Sequence, residues 1–350
     1  MKIKKRFAVP AALALIYLLG PRASYPDFDG KIQDLDLGIE DLTAFTEKKY
    51  ADTLNLKPGN EGYIQWAGAA GEKTEYSVVY LHGFSASPME GDPIHREFAA
   101  RYGANLYVPL LAGHGVSDKE SFENLTPKDL VESAKEAIAV GNLLGEKLII
   151  LSCSTGSTLS IYLAAENPER VHAQMCYSPN IDLEDKTSVL LTRPWGLKLA
   201  QTVTGKKYRH VPLPERCHPY WTMDYRLEGI IALRALLDQT MRPDIFRKID
   251  SPLYIGYYYK NEDQRDKTVS IEAMKDFYEQ VKTPDELKRI QAYPEGTHVM
   301  LSPLQNPDIT RVRTETFKFA EEILKLKPQE KKETVKEISV VKEEEGFGSE

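Results

Sequence analysis

The sequence predicts an α/β protein with a mainly parallel central sheet, helices on both faces and one long insertion. Three observations carry this. Between about residues 76 and 180, short β-branched or aromatic runs alternate with segments of helical periodicity. Those runs are continuously apolar, as expected of strands covered on both sides. The alternation stops between residues 181 and 250 and resumes after 251, so that stretch is expected to be an insertion between two core strands, a helical cap.

The elements follow in order. Lys2, Lys4, Lys5 and Arg6 precede the apolar run FAVPAALALIYLLG, the layout of an export segment. The run is shorter than the roughly 18–20 residues of a comfortable membrane span. A cut after Ala23 would need Pro21 in a small-residue slot, and no cysteine follows to carry a lipid. Residues 1–24 are therefore expected to be an export signal or an uncleaved anchor, placing the protein in the cell envelope. Residues 25–61 form a polar extension with a possible helix in DLDLGIEDLTAFTEKKY. GYIQWAG and YSVVYLHGF read as strands, the second closed by glycine. PMEGDPIHREFAARYG reads as a helix ending at Gly103. ANLYVPLLAGHG is a strand and loop. Thr126 followed by Pro127 opens the helix TPKDLVESAKEAIAVGNLLG. KLIILSCST, HAQMCYSPN, PLYIGYYYK and LKRIQAYPEG are further strands. STLSIYLAAENPER, SIEAMKDFYEQV and TRVRTETFKFAEEILKL are helices. The core is thus expected over 62–180 and 251–326, with a disordered charged tail at 327–350.

The bulk numbers narrow the class. The chain has 350 residues, 42% hydrophobic and 28% charged, enough for a substantial core. A net charge of −7 excludes the basic face of a typical nucleic-acid binder. Cys153, Cys176 and Cys217 have no C-x-x-C spacing, so neither a disulfide framework nor a zinc site is expected. Cys153 and Cys176 read as buried core residues.

Function must come from what lies past the carboxyl ends of the strands, where open parallel sheets bind ligands. Those loops carry His82-Gly83-Phe84, Gly113-His114-Gly115, Ser152-Cys153-Ser154-Thr155-Gly156, the acids Glu262, Asp263 and Asp266, and Glu295-Gly296-Thr297-His298. Serine, acid and histidine occur in that order. A serine hydroxyl needs a base in hydrogen-bond reach, and the base needs a carboxylate to fix its tautomer and steady its positive charge. Taken alone, the hydroxyl cluster could equally be helix capping.

On these residues the chain resembles the α/β-hydrolase superfamily over about 62–326, in particular its carboxylesterases and monoacylglycerol-lipase-like members. The family places its nucleophile in a G-x-S-x-G elbow between strand and helix, with the triad in the order Ser, Asp or Glu, His. Here S-x-S-x-G stands, with Ser154 at the nucleophile and Ser152 in place of the first glycine. LHGFSASPME and LAGHGVSD resemble the oxyanion loop and the loop after the next strand. The resemblance implies oxyanion-hole donors at the N–H groups of Phe84 and Thr155, and a structural His82. YPEGTHVML fits the histidine loop and implies His298 as base. DKTVSIEAM fits the acid segment and implies Asp266, with Asp263 as the alternative because the loop from Lys260 is long. His114 is expected to shape its loop. His95, His172, His210 and His218 are expected to be structural or at the surface, and Asp182, Glu184 and Asp185 to face solvent. The implied reaction needs no cofactor and acts on a small-molecule ester; oligomeric state is not legible. Competing readings are a serine aminopeptidase, with Glu215 or Glu228 holding the substrate amine, a thioesterase, and an inactive envelope binding protein.

Overall fold

The computed structural model describes residues 3–329. The strands are β1 (Tyr63–Gln65), β2 (Thr74–Leu81), β3 (Asn105–Val108), β4 (Gly145–Cys153), β5 (Ala173–Tyr177), β6 (Tyr208–His210), β7 (Asp224–Arg226), β8 (Leu253–Tyr258) and β9 (Lys288–Tyr293). Seven of them form one sheet in the order β1-β3-β2-β4-β5-β8-β9. Only β1 runs antiparallel to its neighbour; every other pair is parallel.

The apolar runs of the sequence become strands with two covered faces. In β4, Leu148 and Ile150 pack with helices Pro127–Leu144, Thr155–Glu166 and Ile271–Gln280. Ile149, Leu151 and Cys153 point the other way, towards helices Ile94–Tyr102 and Thr310–Glu322. Alternation by one residue thus feeds two apolar layers from a single strand. Helix Pro127–Leu144 starts with a full capping box: Asp129 N donates to Thr126 Oγ1 at 3.3 Å, and Thr126 N donates back to Asp129 at 2.9 Å. Helix Ile94–Tyr102 ends at Gly103, whose φ of +61° is the left-handed stop that glycine takes most readily.

Three regions depart from the sequence expectation. The residue 25–61 extension lies against the core. Leu42 and Tyr50 are buried, and the Asn167 side chain bonds both Gly30 O and Ile32 N. The insertion is not purely helical: β6 and β7 pair antiparallel above the core, joining Tyr208 to Arg226 and His210 to Asp224. Three-residue strands far apart in sequence leave no periodicity to read. The insertion also lacks a clean end at 250, because Leu236, Ile245, Phe246 and Ile249 are part of the sheet's own core.

Helix Ile3–Leu18 sits at the N-terminus, and no helix among the described residues is long and apolar enough to cross a membrane. Its end is tied to the cap: Trp195 donates its N–H to Pro21 O at 2.7 Å and its indole N–H to Ile16 O at 3.0 Å. Of the tail expected over 327–350, residues from 330 lie outside the described part; Gln329 N donates to Arg101 O at 2.8 Å.

Candidate active site

β4 ends at Cys153, and helix Thr155–Glu166 begins two residues later. The chain turns that corner at Ser154, with φ +52° and ψ −116°, a conformation costing a non-glycine residue on the order of 1–3 kcal/mol. Backbone bonds hold it there. Ser154 N donates to Tyr177 O at 3.0 Å, and Ser154 O accepts from the N–H groups of Ser157, Thr158 and Asn180. Gly156 has no freedom to be anything larger, because a Cβ would overlap the Leu81 carbonyl of the neighbouring strand. At Ser152 the departure from glycine is absorbed. Its hydroxyl is buried 3.0 Å from that of Ser157 and 3.7 Å from Cys176 Sγ.

Asp266 and His298 stand past the ends of β8 and β9. After β8 the chain makes a small excursion, with Tyr259 bridged to Arg265 and Lys260 N donating to Gln264 O at 2.9 Å. Asp266 N then donates back to Tyr258 O at 3.1 Å. The excursion accounts for the long loop. Asp263 rides exposed at its tip and is excluded as partner of the imidazole, while Asp266 is 2% exposed beneath it. Asp266 Oδ2 lies 2.7 Å from His298 Nδ1, and its Oδ1 accepts the N–H of Thr268 at 2.8 Å and of Val269 at 3.4 Å.

Burial opposes the charge on both partners, but their mutual attraction wins. Asp266 is held below its ordinary carboxylate pKa by His298 and the two N–H donors. His298 is raised above its ordinary value by Asp266, with a further contribution from Glu90. Bound at Nδ1, the ring turns its other nitrogen free for proton transfer.

Ser154 and His298 line one cavity of about 530 Å³, together with Phe84, Thr155, Glu90 and Asn180. No hydrogen bond joins the serine hydroxyl to the imidazole in this conformation; such contacts often tighten only when substrate is bound. Phe84 N and Thr155 N make no hydrogen bond among the described residues, and Thr155 is the first residue of its helix, where N–H groups point free. Phe84 is steadied by ring contacts to His114, Phe122 and Tyr225 at 5.3, 4.8 and 5.6 Å between centroids.

Both ring nitrogens of His82 are taken up by backbone groups. Its Nδ1 lies 2.9 Å from Gly83 O and its Nε2 accepts Leu111 N at 3.0 Å, which ties two rim loops together; burial lowers its pKa to about 3. His114 is likewise buried, with its pKa lowered to about 4. Asp182 and Glu184 do not face solvent freely as expected. Asp182 pairs with Arg234 and Lys186, and Glu184 with Arg265. The two residues that sequence reading missed at the site are Glu90 and Asn180. Glu90 stands seven residues past Gly83, and only its burial reveals it.

Serine, acid and histidine thus stand past the ends of the parallel strands β4, β8 and β9, with the serine on a positive-φ turn between strand and helix, the layout of one fold. The chain has the α/β-hydrolase fold. Residues 72–235 of this chain match the family described as serine aminopeptidase, S33. Over 98 residues it is 30% identical to the thermostable monoacylglycerol lipase of Bacillus sp. (strain H-257); the match covers 28% of this chain and 38% of that relative's length. Among solved structures it is similar to a chain from the study of LipS and LipT, two metagenome-derived lipolytic enzymes. The TM-score there is 0.60, at 16% identity, over 75% of this chain and 98% of the other. It also resembles the Paleococcus ferrophilus monoacylglycerol lipase, with a TM-score of 0.53, 14% identity, and 74% and 96% coverage. At these identities the structural likeness speaks to the fold.

Proposed function

We propose that this α/β-hydrolase cleaves carboxylic esters through an acyl-enzyme. One observation carries the reading: Ser154, on its constrained turn, opens into the same cavity as the His298–Asp266 pair. Ser154 Oγ attacks the ester carbonyl as His298 takes its proton. Phe84 N–H and Thr155 N–H receive the developing oxyanion, each worth on the order of 3 kcal/mol of barrier. His298 returns the proton to the leaving alcohol, then activates the water that frees the acid.

The cap supports an acyl group of moderate hydrophobicity. Leu191, Val211, Leu213, Leu227, Ile230 and Leu233 line the cavity, whose volume is in the range of small-ligand sites. The name of the Bacillus relative, a monoacylglycerol lipase, agrees with that choice. The aminopeptidase alternative lacks its expected amine anchors: Glu228 is engaged by Arg226, and Glu215 is exposed outside the cavity. A panel of p-nitrophenyl esters and aminoacyl anilides tests the reading. Ester turnover is expected, together with fluorophosphonate labelling that vanishes in Ser154→Ala. Preference for anilides, or a folded wild type that does not label, overturns it.

We also propose envelope attachment through the N-terminal segment. Helix Ile3–Leu18 begins with the cationic Lys4, Lys5 and Arg6 and exposes Leu13, Leu15, Ile16 and Leu18 further on, and exposed Leu199 and Val203 of the cap add to the apolar surface. Recovery of the full chain in the cytosolic fraction after cell fractionation would remove this assignment.

A further inference from the structure

Glu90 is a buried acid that the reaction above does not use. It is 2% exposed, lines the catalytic cavity, and belongs to the short 3₁₀ turn Pro88–Gly91 that follows the oxyanion loop. Its Oε2 accepts the N–H of Gly83 at 2.6 Å and the hydroxyl of Tyr80 at 3.0 Å. Gly83 immediately precedes the Phe84 donor. A Cβ on Gly83 would stand 2.8 Å from Glu90 Oε1 and 3.2 Å from Ser154 Cβ, so the acid and the nucleophile flank this one glycine.

We propose that Glu90 is a positioning residue of the site: its carboxyl group pins the peptide leading into the Phe84 donor, and its charge acts on the His298 imidazole as a second carboxylate beside Asp266.

Packing alone would not call for an acid here. A neutral amide oxygen could accept both bonds, whereas a buried carboxylate costs desolvation that two neutral donors only partly offset. The groups facing Glu90 are Tyr80 from β2, Cys153 from the end of β4 and His298 from the loop after β9. Burial raises the Glu90 pKa to about 7, against the lowering pull of Gly83 N–H, Tyr80 and His298. Glu90 in turn helps to raise His298. The acid is therefore poised to ionise where the imidazole does its work. Ionised Glu90 steadies the imidazolium formed as Ser154 is deprotonated, and it grips Gly83 N–H more firmly than a neutral acid can.

The proposal rests on the ester-hydrolase reading for its kinetic consequence but not for its electrostatic one, and the test separates them. Glu90→Gln and Glu90→Ala are compared with wild type by melting temperature, by NMR titration of the His298 ring and by kcat and KM on a p-nitrophenyl ester across pH. In Glu90→Gln the His298 midpoint is expected to fall, because a negative charge that favoured the imidazolium is gone. The acid limb of kcat/KM moves to lower pH with it. In Glu90→Ala, kcat is expected to drop about 10- to 100-fold with KM little changed, as for a misaimed oxyanion donor. Glu90→Gln recovers a large part of that loss because its amide can still accept Gly83 N–H. An unmoved His298 midpoint in a folded Glu90→Gln overturns the charge role, and wild-type kcat in Glu90→Ala overturns the positioning role. If wild type turns over no ester, the functional reading fails while the NMR shift still reports the Glu90–His298 coupling.

Discussion

At the rim of the sheet, Ser154 and Asp266 sit on backbone that hydrogen bonds and close packing leave no freedom. In the cap, the walls of the same cavity depend on charged side chains reaching across gaps. Arg226 bonds Glu120 and Glu123, each at 2.7 Å, and also Glu228, joining the end of β7 to the loop before helix Pro127–Leu144. Arg234 holds Asp182 and Asp238, and Tyr25 donates to Asp238 at 2.7 Å. The contrast follows the demands of each region. Proton transfer fails when atoms shift by an ångström, so its groups are set by strand register and Gly156. Acyl binding tolerates looser walls, so an insertion held by two buried arginines that reach partly exposed carboxylates suffices.

Variants that hit only one region should separate the two. The largest effect is expected from Asp266→Asn. Loss of the carboxylate leaves the His298 ring without its charge partner, and kcat should fall by about 10³–10⁴-fold, while Asp263→Asn stays near wild type. The sign of the pH effect is fixed by the shifts. His298 is raised and must be neutral to act as base, so wild-type activity is lost as pH falls through that raised value. Removing Asp266 lowers it, and the residual acid limb should move to lower pH; a limb that does not move would transfer the role to another group. Linkage adds a stability consequence. Asp266, with its pKa depressed, contributes stability that is present above the unfolded-state value near 3.9 and lost as pH falls through the folded value. Chemical denaturation of Asp266→Asn against wild type between pH 3 and 5 reads this directly.

A smaller effect, of a different kind, is expected in the cap. Arg226→Met frees three carboxylates that can return to water, so the fold should persist. KM should rise about 3- to 10-fold with kcat nearly constant, on the order of 1 kcal/mol of uniform binding. A fall in kcat without a change in KM would mean that the cap takes part in the chemistry. The smallest effect belongs to Ser152→Gly, which restores the family's elbow glycine but removes the bond to Ser157. A loss of about 1 kcal/mol in urea unfolding is expected, with kcat unchanged. A gain in kcat would show that the serine strains the elbow.

The alternating apolar runs determined the parallel core, because burial on both faces of a strand is written into consecutive residues. Ser154 was legible for the same reason, standing just past such a run, and His298 through the resemblance of YPEGTHVML to a histidine loop, since β9 itself is polar and half-buried. The sequence alone left Asp263 competing with Asp266. The choice was made by the hairpin-like excursion after β8, which lifts Asp263 into solvent and returns Asp266 to Tyr258. It gave no sign of β6 and β7, whose pairing depends on contacts between distant short segments. Nor could it expose Glu90, since an acid in a loop looks solvated until Tyr80 and Gly83 close around it. Local periodicity survives in one dimension; desolvation and the partners that answer it exist only once the chain has folded back on itself.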